Sequence, residues 1–249
     1  MPLGTCCAGW HFLKMPHMYE SDEGSPRLKV RDLEHLAEQH RARLLAEGYD
    51  LSPVRGESRH LAGSFWAKAW MRNLSLCEAW GMNLAPGRTL LRHGCVLHAE
   101  IREGLIYALI AGPEVYEVRV SIAPPGEERV AALVASCRGK IDSLVSLLEG
   151  KLSESVLACL CDSSSGLLPA PDEWRMDCSC PDWGEPCAHA AAAIYAAGVL
   201  LDASPEALFL LRSFQAERLL QDAASLSPEG VYDAASLSSV FGVEIELPE

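Results

Sequence analysis

Residues 178–189 read Cys178-Ser179-Cys180-Pro181-Asp182-Trp183-Gly184-Glu185-Pro186-Cys187-Ala188-His189. Three thiols and one imidazole fall within this stretch, spaced C-x-C, six residues, C-x-H. Zinc favours thiolate and imidazole donors in a tetrahedron, and Cys3His is a recurrent structural set. In an extended segment, residues two apart face the same side, so Cys178 and Cys180 can aim at one ion. Pro181, Gly184 and Pro186 suit a tight reversal. Residues two apart on a helix do not share a face. Cys187 therefore belongs in the turn, and His189 in the first turn of a helix. The plain alternative is a redox pair with bystanders, but a thioredoxin-like motif needs C-x-x-C. The reading is one structural zinc ion held by Cys178, Cys180, Cys187 and His189.

The flanks follow from this stretch. Trp174 to Cys180 reads as a short extended segment, and the Ala-rich run from Ala188 to Leu201 as a helix. Pro205 opens another helix that ends at Arg212. Upstream, Leu33, Leu36, His40 and Leu44 give a helical stripe over 31–47, stopped by Gly48; His40 there reads as a half-buried packing residue. Leu51 to Gly63 reads as a linker. Ser64 caps a helix that runs to about Trp80. Residues 89–122 read as strands, with Val96–Ile101 and Leu105–Ile110 joined at Glu103-Gly104. Tyr116 to Ile122 alternates as a half-buried strand. Helices are expected over 127–137, 140–148 and 154–161. The tail from Asp222 is rich in Ser, Ala and acids, with a last short helix or strand as options.

The chain has 249 residues, 49% of them hydrophobic, and a formal net charge of −13. That length permits one core, or one core and a satellite. An acidic chain is not a generic nucleic-acid coat, so any such contact needs a local basic patch. The first 30 residues lack periodicity, which suggests disorder or a start at Met15 or Met18. They also lack a basic stretch followed by an apolar one, and Cys6 lacks the apolar segment of a lipoprotein signal. A reducing cytoplasm without disulfides is the expectation for the ten cysteines. The apolar run 190–201 is too short to span a bilayer.

The remaining candidates are weaker. Cys159 and Cys161 diverge on a helix and read as packing, as do Cys77, Cys95 and Cys137. His93 and His98 flank Cys95 without a complete ligand set. Trp66 and Trp70 share a helix face. Core packing is the plain reading; a stacking platform is the sharper one. Lys68, Arg72, Arg88, Arg92 and Arg102, with those tryptophans, form the candidate nucleic-acid or partner face. Around the finger the charges are acidic at 172, 173, 177, 182, 185, 202 and 206, with Arg175 the fixed cation, which makes a poor phosphate surface. Trp183 either covers the metal or serves as a docking anchor.

The C-x-C…C-x-H arrangement resembles the SWIM zinc finger. Cys180-Pro181-Asp182-Trp183 and Glu185-Pro186-Cys187-Ala188-His189 match closely, although lysine is commoner than Ala188. Gly63 to Trp70 resembles the aromatic opening of bacterial SWIM proteins, with Phe65 in place of a second tryptophan. Gly87-Arg88, Arg92-His93-Gly94 and Val96 resemble a G-R…R-x-G-x-V stretch, in which Leu90-Leu91 stand where a tyrosine is usual. Leu147 to Leu152 resembles a leucine-glycine junction. The resemblance spans roughly 60–215. It implies zinc binding, contacts with DNA or proteins, and association with Swi/Snf-type helicase-like ATPases, with no established catalytic activity.

The expected fold is α+β: a small antiparallel sheet at about 89–122, then a helical region with a zinc-stapled finger. The expected organisation is an N-terminal segment (1–60), an α+β domain (61–170), the finger with its following helices (171–214) and a tail (215–249). The expected function is a non-enzymatic interaction module with a protein partner, nucleic acid as a second option, and neither a membrane nor a small-molecule substrate. A zinc-thiolate redox sensor and a zinc-dependent hydrolase or nuclease are the alternatives. The second of these conflicts with a closed set of four protein ligands, and no H-E-x-x-H, P-loop or G-x-S-x-G accompanies it.

Overall fold

A computed structural model describes residues 30–56, 63–77, 80–138, 140, 154–162, 165–182 and 184–219. Helix α1 (Val30–Ala46) buries Ala37 and Leu44, and half-buries Leu33, Leu36 and His40. Gly48 ends it at φ +89°, where a side chain would be strained. The next stretch is less of a linker than its composition suggests. Residues 52–54 run along the sheet: Val54 N–H donates to Val96 O at 3.2 Å, and Ala99 N–H donates to Ser52 O at 3.0 Å.

Helix α2 (Phe65–Ser75) starts at Ser64, whose hydroxyl accepts from Ala67 N–H at 3.3 Å. It stops five residues before the expected end at Trp80. A helix the sequence reading missed, α3 (Gly81–Arg92), follows. The expected strand region from 89 therefore begins too early, since Thr89 to Arg92 are helical. Gly81, Pro86 and Gly87 read as breakers, but packing overrides them. A Cβ on Gly87 would lie 2.5 Å from Ala191 Cβ, so glycine lets α3 cross α6 (Ala188–Ala203) closely.

The sheet has order β1-β2-β3-β4, all antiparallel: β1 (Val96–Arg102), β2 (Leu105–Ala111), β3 (Val115–Ile122) and β4 (Trp174–Cys178). Gly104 makes the first turn at φ +65°. The alternation in β3 buries Val118, Val120 and Ile122. The extended segment before the first finger cysteine is not free-standing. It pairs with β3, with Ile122 opposite Trp174 and Val118 opposite Cys178. Helices α4 (Glu127–Cys137) and α5 (Glu154–Leu160) follow the expected pattern, and α7 (Ala207–Leu211) is the short helix after Pro205. The expected helix over 141–148, the tail from Asp222 and residues 1–29 lie outside the described residues.

Helix α6 is the hub. Ala190 to Gly198 are all buried, and α3, α2 and the first three strands pack on it. Its small side chains permit this. Trp70 is fully buried against it and donates its indole N–H to Ile194 O at 3.0 Å. The Asp202 carboxylate, near the end of α6, accepts from Ser64 N–H at 2.6 Å and Gly63 N–H at 3.0 Å, tying down the start of α2. A partly buried ion triad braces the approach to β4. Glu173 pairs with Arg212 at 2.8 Å and Arg129 at 3.2 Å. Arg212 is fully buried and also donates to Ala123 O, which gives each buried charge a partner.

The candidate metal centre

Cys178 is the last residue of β4 and Cys180 lies two positions on. Between them Ser179 continues the ladder. Its N–H donates to Glu117 O at 3.0 Å, and its hydroxyl accepts from Glu117 N–H at 3.0 Å. The ladder thus reaches one residue past β4 before the chain bends at Ser179 and Cys180, and both thiols still meet at one site. The loop then reverses. Asp182 Oδ1 accepts from Gly184 N–H at 3.0 Å, and Pro186 follows a cis peptide bond and is buried. Cys187 is the N-cap of α6 in extended backbone (φ −72°, ψ 171°), and its Sγ accepts from Ala190 N–H at 3.4 Å. His189 sits in the first helical turn. The turn-then-helix arrangement expected from the C-x-H spacing is what the backbone adopts.

The four donor atoms lie within 4.8 Å of one another. A zinc tetrahedron with Zn–S near 2.3 Å needs about 3.8 Å between sulfurs. The electrostatics fit the same ion. A hydrogen bond from the Cys178 thiol, opposed by burial and reinforced by His189, the Ala190 N–H and Cys180, pulls Cys187 down to about 3. The bond to Cys187 and then burial push Cys178 up, and burial pushes Cys180 up. Thiols crowded at a helix N-terminus stabilise one another's ionisation only by sharing protons. A divalent ion that displaces those protons satisfies all three sulfurs at once. His189 Nδ1 is buried and has no hydrogen-bond partner among the described residues. The donors fit zinc, and their number closes the tetrahedron.

The surroundings orient the histidine. The Tyr116 ring stacks on His189 with centroids 4.4 Å apart at 41°. Gly112 leaves the room for both. A Cβ there would lie 2.8 Å from Tyr116 Cε2 and 3.3 Å from His189 Nε2. Gly112 O in turn accepts from His40 Nε2 at 3.2 Å, which links α1 to the site. Sequence reasoning missed Gly112 and Tyr116. The sole signal was His40, a polar residue on an apolar stripe, and its partner is remote in sequence.

The other candidates fall in different places. Trp66 and Trp70 are 3% and 0% exposed, so both rings serve the core and neither offers a stacking surface. Lys68 and Arg72 are exposed one turn apart on α2. On α3, Arg88 and Arg92 are likewise one turn apart; Arg88 donates to the Tyr195 hydroxyl at 3.1 Å and lies over that ring. Arg102 is at the end of β1, paired with Glu100 and over Tyr107. Trp183 lies outside the described residues. Cys159 is half-buried and Cys137 buried, as packing predicts. His93 and His98 turn to carboxylates, Glu34 and Glu100.

The fold and site define a zinc-binding protein, with one structural ion in a closed Cys3His set between a strand end and a helix start. Residues 177–198 match the family model of the SWIM zinc finger. The uncharacterized protein Rv2102 of Mycobacterium tuberculosis (strain ATCC 25618 / H37Rv) is 29% identical over 191 residues, covering 74% of this chain and 69% of that protein. No solved structure matches the chain significantly. Among the described residues, no helix is long and apolar enough to cross a membrane.

Proposed function

We propose that the chain is a non-enzymatic module whose zinc finger supports contacts with a protein partner, accessory to a Swi/Snf-type helicase-like ATPase. SWIM fingers mediate protein or DNA contacts. The observation that favours protein here is the charge around the finger. Asp172, Asp177, Asp182 and Glu185 are exposed beside it, against two fixed cations, Arg175 and Arg119, the latter opposite Asp177 and paired with Glu117. Phosphate binding needs the opposite sign. The closed ligand set also leaves no coordination position for substrate or water, which disfavours a hydrolase or nuclease.

Affinity purification with the zinc-loaded full chain tests this. The expected result is a helicase-like ATPase retained by the wild type and lost with Cys187→Ser. Recovery of no partner with either protein overturns the reading. A nucleic-acid role would fall instead to Lys68, Arg72, Arg88, Arg92 and Arg102, on α2, α3 and β1. It predicts binding of single- or double-stranded DNA that weakens steeply with salt, and no binding at low salt removes it.

A further inference from the structure

We propose that the outer edge of β4 takes an extended, basic peptide segment of a partner protein as a fifth strand. This rests on the protein-docking reading above and names its surface. The hydrogen-bond parity of β4 carries the inference. Ser179 N–H donates to Glu117 O, and Ala123 N–H donates to Glu173 O, both at 3.0 Å. In the β3–β4 register, Asp177 lies opposite Arg119 and Arg175 opposite Ser121. Residues 173, 175, 177 and 179 therefore turn their backbone groups toward β3, because bonded pairs alternate along an antiparallel ladder. Trp174, Met176 and Cys178 turn theirs outward.

Among the described residues, no backbone group meets the outward N–H and C=O of Met176. The Trp174 carbonyl is met by its neighbour, the Arg175 guanidinium, at 2.8 Å. The opposite edge of the sheet is treated differently, since residues 52–54 cover β1. An open strand edge is a template for another chain. A cleft of about 460 Å³ lies along this one, between Trp80, Pro171, Trp174, Arg175, Met176 and Glu185; the Arg175 guanidinium is turned back onto the Trp174 and Asp172 carbonyls. A second cavity, of about 290 Å³, is the metal site itself, lined by Cys178, Cys180 and Cys187, and it meets the first at Met176 and Glu185. Met176, half-buried in the first cleft, offers apolar contact to an alternate side chain of an added strand. Asp172, Asp177, Asp182 and Glu185 are exposed around it and complement Lys or Arg at the positions between. The metal loop forms one wall, so the surface exists only when zinc holds that loop.

The test presents the zinc-loaded full chain to a displayed library of random linear peptides. The expected outcome is enrichment of sequences in which apolar residues alternate with Lys or Arg. Met176→Pro removes one outward N–H and no bond to β3. It should keep full zinc content and weaken the selected peptides about tenfold or more. A second measurement is independent of any variant. N-methylation of alternate peptide amides should abolish binding in one parity and leave the other parity intact. Failure to enrich any peptide, enrichment of acidic peptides, or binding indifferent to methylation parity overturns the proposal. A purified partner that is lost with Cys187→Ser but held equally by Met176→Pro also overturns it, and leaves the docking function standing.

Discussion

Gly112 shows how little space one residue can occupy and still decide a metal site. Its missing Cβ leaves room for Tyr116 and the His189 ring. Gly112→Ala should lower zinc affinity by roughly 10- to 100-fold, the usual scale for a residue that orients a ligand histidine. Competition with a chromophoric chelator measures this, and an unchanged affinity would show that the ring tolerates displacement. Cys95 makes a second residue-scale case. Burial, with Glu34 adding and Arg55 opposing, raises its thiol from 9.0 to about 11. The folded state therefore holds this proton longer than the unfolded chain. Its contribution is fully present below pH 9, and is lost as the pH rises toward 11. Cys95→Ala should flatten that alkaline loss by on the order of 2 kcal/mol, as urea midpoints between pH 8 and 11 would show. The four ligands were legible in the sequence because their spacing is local. Gly112, Tyr116 and His40 were not, because folding alone brings them to the histidine.

Helix α6 explains which elements could be read and which could not. Its propensity and cap are local, and it begins where the C-x-H spacing places it. The boundary errors came from elements whose stability is tertiary. Helix α3 carries Pro86 and Gly87, poor helix residues that α6 nevertheless holds in place. Gly87→Val should therefore separate α3 from α6. Atoms of Ala191 and Ala192 stand at 2.5–2.8 Å from the added Cβ, and overpacking of this kind costs about 1–3 kcal/mol. A thermal midpoint equal to the wild type would refute that crossing. Strand β4 was legible as extended, but its membership of the sheet was not. Its partner β3 lies far upstream, and no local pattern encodes the pairing. Trp66 and Trp70 show the same limit, because helical spacing reveals a shared face and only packing reveals that it is buried.

At the scale of the molecule, the finger is built into the core. Strand β4 completes the sheet and α6 fills the centre, with the four candidate metal ligands at the junction between them. Metal binding contributes about 10–16 kcal/mol of apparent free energy in comparable sites, against a usual domain stability of roughly 5–15 kcal/mol. Chelation should thus loosen β4 and the start of α6 together, seen as faster amide exchange over 174–198. The Arg129–Glu173–Arg212 triad is a second brace, tying α4 and the segment after α7 to the approach to β4. Glu173→Ala removes the carboxylate that neutralises the fully buried Arg212, and should cost about 3–5 kcal/mol with zinc still bound at low temperature. The most direct test of the molecule's central feature is zinc X-ray absorption with metal analysis, on the wild type and Cys187→Ser. The expected result is one zinc per wild-type chain with three sulfur neighbours near 2.3 Å and one nitrogen near 2.0 Å, and loss of zinc in the variant. Full zinc in Cys187→Ser, or a first shell with fewer sulfurs and a water, would contradict a closed Cys3His site.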